Sequence, residues 1–132
     1  MKTLTIGDLK ARIPIIQGGM GVGISLSGLA SAVANEGGIG VISAAGLGLL
    51  YKKLSPSNYT EAGNLGLAEE IRKAREKAKG IIGVNVMVAL SDFAELVKTS
   101  IAEKVDIIFS GAGLPLDLPS FLKKDSVTKL VP

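Results

Sequence analysis

The chain has 132 residues, enough for one domain with a moderate core, and combines 47% apolar residues and 17 glycines with only 4% aromatics and 20% charge. That balance excludes disorder and favours a globular α/β domain rich in Val, Ile, Ala and Gly. The net charge is +3, and neither cysteine nor histidine occurs, so disulfides and thiolate metal sites are excluded.

Asp8, Lys10 and Arg12 precede any long apolar run, which argues against a signal peptide, and no stretch is long and apolar enough to span a bilayer. The expectation is a cytoplasmic protein with no membrane partner. In chain order, the first predicted strand is Ile13 to Gln17. It runs into the glycine cluster Gly18-Gly19-Met20-Gly21, and Ser27 is expected to cap a small-residue helix reaching about Glu36. Gly37-Gly38 releases a second strand, Ile39 to Ser43. A long glycine-rich connection, Ala44 to Gly63, follows, longer than the usual loop between a strand and a helix.

Asn64 is the expected cap of a helix from about Leu65 to Lys79, with Leu67, Ile71, Ala74 and Ala78 at helical spacing. On that helix Arg72, Lys73, Arg75, Lys77 and Lys79 alternate with Glu69, Glu70 and Glu76. The mixture reads as a solvated face, and without interleaved aromatics it offers no nucleic-acid interface. A third strand is expected from Ile81 to about Met87, a helix capped by Ser91 from Asp92 to about Glu103, and a fourth strand from Val105 to Phe109. A second glycine loop, Ser110 to Pro115, leads to a short helix around Pro119 to Lys123, and Thr128 to Pro132 begins a fifth strand. Four successive strand–helix units with near-continuous apolar strands predict a parallel sheet covered by helices.

Three segments then fall at the C-terminal ends of parallel strands, where α/β proteins bind ligands: Gln17 to Gly23, Asn85 to Met87 and Ser110 to Pro115. Gln17 and Asn85 are amides ending apolar strands. Each must find partners, either in the backbone of a neighbouring loop or on the polar edge of a heterocycle. Met20 is either core filler or a soft contact for a flat ring. Gly18, Gly19, Gly21, Gly111 and Gly113 serve either turn geometry or close approach of a ligand. Gly19-Met20-Gly21-Val22-Gly23 brings its third glycine one position too early for a dinucleotide fingerprint. No phosphate-binding loop ending in Gly-Lys-Ser/Thr is present, and metal ligation has no support.

Taken together, Pro14-Ile15-Ile16-Gln17-Gly18-Gly19-Met20-Gly21, Gly37-Gly38-Ile39-Gly40-Val41-Ile42-Ser43, Gly83-Val84-Asn85 and Ser110-Gly111-Ala112-Gly113-Leu114-Pro115 resemble the nitronate monooxygenase (2-nitropropane dioxygenase) family, with which the flavin-dependent enoyl-acyl-carrier-protein reductases belong. The resemblance implies a (β/α)8 TIM barrel, of which residues 1–132 are the N-terminal half and supply about the first four βα units. It implies FMN as cofactor, with Gln17, Gly18, Gly19, Met20 and Asn85 on the flavin and Ser110, Gly111, Ala112 and Gly113 on the substrate side. The reaction implied is oxidation of a small-molecule alkyl nitronate by oxygen; the alternatives are NAD(P)H-dependent enoyl reduction and a non-catalytic half barrel whose role is association. The family's histidine near the flavin is expected beyond the chain end, so no catalytic residue is assigned here. The flavin phosphate is expected on loops after strands 7 and 8. Closure is expected from the missing C-terminal half of the barrel or from a second copy, and a half barrel with two open edges is expected to be unstable as a monomer. An independent open α/β domain is the remaining alternative.

Overall fold

The computed structural model describes residues 2–132. Its first elements are absent from the sequence expectation: β1 (Leu4–Ile6) and β2 (Leu9–Ala11) pair antiparallel, with Leu4 opposite Ala11 and Gly7-Asp8 as the turn. Leu4, Ile6, Leu9 and Ala11 pack together with Ile39, Val41 and Ile107 of the following strands.

Residues 13–17, expected as a strand, add one parallel bridge, Ile16 to Ile39, beside the sheet. α1 (Ser27–Asn35) follows, then β3 (Ile39–Ser43), the short α2 (Leu47–Leu50), α3 (Tyr59–Lys77), β4 (Ile81–Asn85), α4 (Phe93–Ala102), β5 (Ile107–Phe109) and β6 (Lys129–Val131). Leu118–Phe121 forms a single 3-10 turn where a short helix was expected. The sheet is parallel throughout, in the order β3-β4-β5-β6. Strand order that follows chain order without reversal is the winding of a barrel; a doubly wound sheet reverses at a switch point.

The register divides the strands into two faces. Ile42, Ile82, Val84 and Ile108 join the cluster packed by the helices, while Ile39, Val41 and Ile107 belong to the cluster that includes the hairpin. Ser43, Asn85, Phe109 and Val131 share a row at the C-terminal end of the sheet. At the hairpin end the inner face is apolar apart from Lys129, which sits beside Ile107 and pairs with Asp8, and it acquires Ser43 and Asn85 at its far rim.

Helix boundaries differ from expectation for local reasons. α3 starts six residues before Leu65 because Asn58, not Asn64, is its cap, its side chain accepting from the Glu61 N–H at 3.0 Å. Gly63, expected at the end of the preceding connection, lies inside α3, as does Gly66, where a side chain would collide with the Tyr51 ring. Asn64 instead accepts from the Thr99 hydroxyl at 2.7 Å. Ser27 and Ser91 are not caps: Leu26 and Asp92 take those positions without side-chain capping bonds.

Candidate functional site

The first glycine cluster begins where the parallel ladder loses its backbone partner. Ile39 N–H donates to the Ile15 carbonyl at 2.9 Å, and Gln17 N–H to the Ile39 carbonyl at 3.0 Å. The next donor, Val41 N–H, meets the Gln17 side-chain Oε1 at 2.9 Å. The Gln17 amide thus replaces a rung of the ladder while the main chain turns away through Gly18. Its Nε2 donates to the Gly18 carbonyl at 2.7 Å and to Ser25 Oγ at 3.2 Å. Both of its hydrogens and its oxygen are engaged by the protein. Of the two partners open to this amide in the sequence, the neighbouring backbone holds it.

Gly19 lies over β3, where a Cβ would overlap Val41 Cγ1 and come within 3.0 Å of Asn85 Cβ. Only a bare backbone brings the loop this close. Asn85, at the end of β4, donates through Nδ2 to the Gly19 carbonyl at 2.8 Å and to Met20 Sδ at 3.3 Å. Asn85 Oδ1 has no partner among the described residues and is not enclosed. Met20 is 58% exposed and so is not core filler.

The second glycine loop is fastened to the continuation of β4. Val86 N–H donates to the Phe109 carbonyl and Val88 N–H to the Gly111 carbonyl, at 2.9 and 2.8 Å. Ser110 is buried, and its hydroxyl donates to the Val86 carbonyl at 3.2 Å, so it too is engaged by the protein. Gly111, Ala112 and Gly113 are exposed, and Ala112 holds φ +57, a left-handed conformation costly for a residue with a Cβ. The structure therefore brings Gln17, Gly18, Gly19, Met20 and Asn85 into one bonded cluster. Ser110 to Gly113 are tied to the segment that follows Asn85.

Two residues overlooked in the sequence complete the arrangement. Ser25 is buried inside the first glycine loop. Glu70 was assigned to a solvated face but is 4% exposed, and its Oε2 accepts from Ser27 N–H, at the start of α1, at 2.6 Å. Its other oxygen accepts from the Tyr51 hydroxyl. Burial pushes this carboxyl up, but the bonds from Tyr51 and Ser27, with Lys73 nearby, outweigh it and hold the pKa below the usual glutamate range. Burial and the Glu70 carboxylate together raise the Tyr51 pKa. A signal for Glu70 was present, three residues after the buried Leu67 and four before the buried Ala74. Lys73–Glu69 is the half-exposed pair expected of a solvated face, but Arg75 also departs from that expectation, part-buried on Asp106 and the Gly80 carbonyl.

A carboxylate already accepts from the first N–H of α1, and its charge disfavours a second anion at that helix N-terminus. What the rim offers is main-chain donors and an amide acceptor, the N–H groups of Gly18, Gly19 and Ala112 having no protein acceptor among the described residues. Among the described residues there is no cluster of three or more His, Cys, Asp or Glu that could hold a metal ion. No helix there is long and apolar enough to cross a membrane.

Fold and rim together define part of a TIM barrel with its ligand edge at the C-terminal ends of the strands. The pattern of the nitronate monooxygenase family matches residues 2–117, and the chain belongs to that family. Its members are FMN-dependent oxidoreductases. A FabK structure from Thermotoga maritima is similar at 29% identity and a TM-score of 0.66, covering 90% of this chain and 33% of that one. A methionine-to-alanine variant of the same FabK is similar at 32% identity and a TM-score of 0.70, covering 90% and 34%. The chain thus spans about a third of the length of these proteins. No curated protein matches.

Proposed function

We propose that residues 1–132 are the N-terminal half of an FMN-binding barrel that oxidises alkyl nitronates with molecular oxygen. The observation that carries this reading is the Asn85 amide, which ties the Gly19 carbonyl and Met20 Sδ together at the rim and leaves its own oxygen open. A flavin ring has carbonyl and nitrogen acceptors along one edge and a single N–H donor. The residues present fit that edge: the unbonded Gly18 and Gly19 N–H groups would serve its acceptors and Asn85 Oδ1 its donor. Met20 would contact the ring, and Gly111, Ala112 and Gly113 would border the substrate.

When bound, FMN supplies the redox chemistry, accepting electrons from the nitronate and passing them to oxygen. The chain's own residues bind and orient the ring and leave bare main chain on the substrate side. Neither Gln17 nor Ser110 has a free polar group to move a proton, and the chain has no histidine. We therefore assign neither the base nor the phosphate site to these residues, Glu70 already accepting from the first N–H of the nearest helix.

Closure favours complementary polypeptide over a second copy. The sheet has four parallel strands and its β3 edge is already partly covered by the segment bridged at Ile16, so a second copy would not find two equivalent open edges to close on. Ile15 and Ile16 at one edge and Leu114 and Leu116 beyond β5 are exposed apolar surface for the remainder to cover. We expect no turnover from the 132-residue chain by itself, which oxygen uptake with a nitronate would contradict.

The test is flavin content. The protein carrying this chain together with the rest of its barrel should purify yellow and consume oxygen with alkyl nitronates, and a colourless protein that takes up no added FMN would refute the proposal. Likeness to the FabK structures supports a second reading, NAD(P)H-dependent reduction of an enoyl thioester. Rapid anaerobic bleaching of the bound flavin by NADPH, with no nitronate oxidation, selects that reading.

A further inference from the structure

Among the described residues, Ser25 is a buried hydroxyl bonded to three residues of the first glycine loop. It is 2% exposed and lies between that loop and α1. Its Oγ donates to the Gly18 carbonyl at 3.1 Å and accepts from Met20 N–H at 3.1 Å and from Gln17 Nε2 at 3.2 Å. Its carbonyl accepts from Ser43 N–H at 2.8 Å, at the end of β3. One donor and two acceptors are the full capacity of a serine hydroxyl, and all three act within the turn of the chain from Gln17 to Met20.

Gly18 and Gly19 have no side chains with which to define a conformation, and glycine loses the most freedom on ordering. The loop nevertheless takes one path, with the Gly19 carbonyl on Asn85 Nδ2 and Met20 beside it. We propose that Ser25 is a positioning residue of this rim. Its hydroxyl fixes the main chain of Gly18 to Met20, and through it the placement of Met20 Sδ on Asn85 and the direction of the Gly18 and Gly19 N–H groups. That the ligand so served is a flavin ring rests on the function proposed above; the claim about the loop does not.

The experiment uses the protein carrying this chain together with the rest of its barrel. It compares wild type, Ser25→Ala and Ser25→Thr by two readouts: the 13C-methyl signal of Met20, assigned with Met20→Leu, without flavin, and the FMN Kd with the visible spectrum of the bound flavin. Ser25→Ala leaves the Met20 N–H and the Gln17 amide with the Gly18 carbonyl as their one shared acceptor, at 3.1 and 2.7 Å, and takes the hydroxyl donor from that carbonyl. The loop thus loses three of its bonds, and FMN binding should weaken about tenfold. Its Met20 signal should move toward that of free methionine, and the flavin band should shift. Ser25→Thr keeps the hydroxyl and should restore the wild-type Met20 signal and most of the FMN affinity.

A Ser25→Ala protein whose Met20 signal and FMN Kd match wild type overturns the proposal. So does one that loses stability while the Met20 signal stays in place, since that is a structural role alone. If Ser25→Ala does not fold, Ser25→Thr decides, a displaced Met20 signal counting against the proposal. If wild type binds no FMN, the flavin reading fails, and the Met20 signal alone determines whether Ser25 sets the loop.

Discussion

At the N-terminal end of its parallel strands the protein is held by a hairpin plug and charged pins; at the C-terminal end it is held by two amides, two serines and bare main chain. Arg75 bridges the Asp106 carboxylate at 2.6 Å and the Gly80 carbonyl at 3.1 Å, while Asp106 also accepts from Ile82 N–H. Lys129 pairs with Asp8 of the hairpin turn. No ion pair among the described residues touches Gln17 to Ser25, Asn85 to Val88 or Ser110 to Gly113. The contrast separates two tasks. One end is closed and redundant, as stability requires, and the other keeps groups unpaired for a ligand.

Substitutions at the two ends should therefore fail differently. Ile107 is fully buried between hairpin and sheet, so Ile107→Ala should cost about 2–5 kcal/mol in urea unfolding through lost burial and a residual cavity. In whatever fraction remains folded, FMN affinity should be close to wild type. If affinity collapsed in that folded fraction, the two ends would not be separable.

Gly19→Ala is the counterpart at the rim. The new methyl meets Val41 and Asn85, and overpacking of this kind costs about 1–3 kcal/mol. Relief requires the loop to lift, which removes the Asn85 contacts, so FMN uptake should fall much further than stability does. Normal flavin content in Gly19→Ala would show that the loop does not need its close approach. Asn85→Ala should be milder in stability, about 1 kcal/mol for a half-buried amide, yet should still weaken FMN about tenfold; equal effects on both would make Asn85 a structural tether only.

Glu70 tests the join between the ends, because it anchors the start of α1 from α3. Glu70→Gln should cost about 1–2 kcal/mol at neutral pH, since bonds to a charged acceptor are the stronger kind. The sign with pH follows from its lowered pKa. Folding is favoured by the ionised form above the ordinary glutamate value of 4.5, and that contribution is lost as the pH falls through the lower folded-state value. The difference in urea midpoint between wild type and Glu70→Gln should accordingly narrow in acid, and a gap that widened would mean the carboxylate is not the stabilising form.

The strand–helix alternation was legible because apolar runs such as Ile39 to Ile42 have no polar face. The barrel winding was not, since alternation is common to barrels and doubly wound sheets and only the family resemblance implied it. The rim was legible as a set of positions, since an amide ending an apolar strand must be satisfied by something. What satisfies Gln17 was not, because its partners Val41 N–H and Ser25 Oγ lie 24 and 8 residues away in the chain. The start of α3 was misplaced because Gly63 read as the end of a glycine-rich loop, although tertiary packing against Gly48 is what selects it. Glu70 was hidden among seven other charges on the same predicted helix. The hairpin had a local signature, alternating Leu4-Thr5-Ile6 and Leu9-Lys10-Ala11 around Gly7-Asp8, but each strand is only three residues long.

The smallest effect expected is at Asp8. Its bond to Lys129 lowers the Asp8 pKa, yet the carboxyl is 80% exposed, so water and salt screen the pair and two long side chains lose freedom in forming it. If the hairpin is held by Leu4, Ile6, Leu9 and Ala11 against Ile39, Val41 and Ile107, Asp8→Asn should leave the urea midpoint where it was, at low and at high salt alike. A clear loss at low salt that vanishes at high salt would make the plug electrostatic. The closed end would then depend on surface charge rather than on apolar burial.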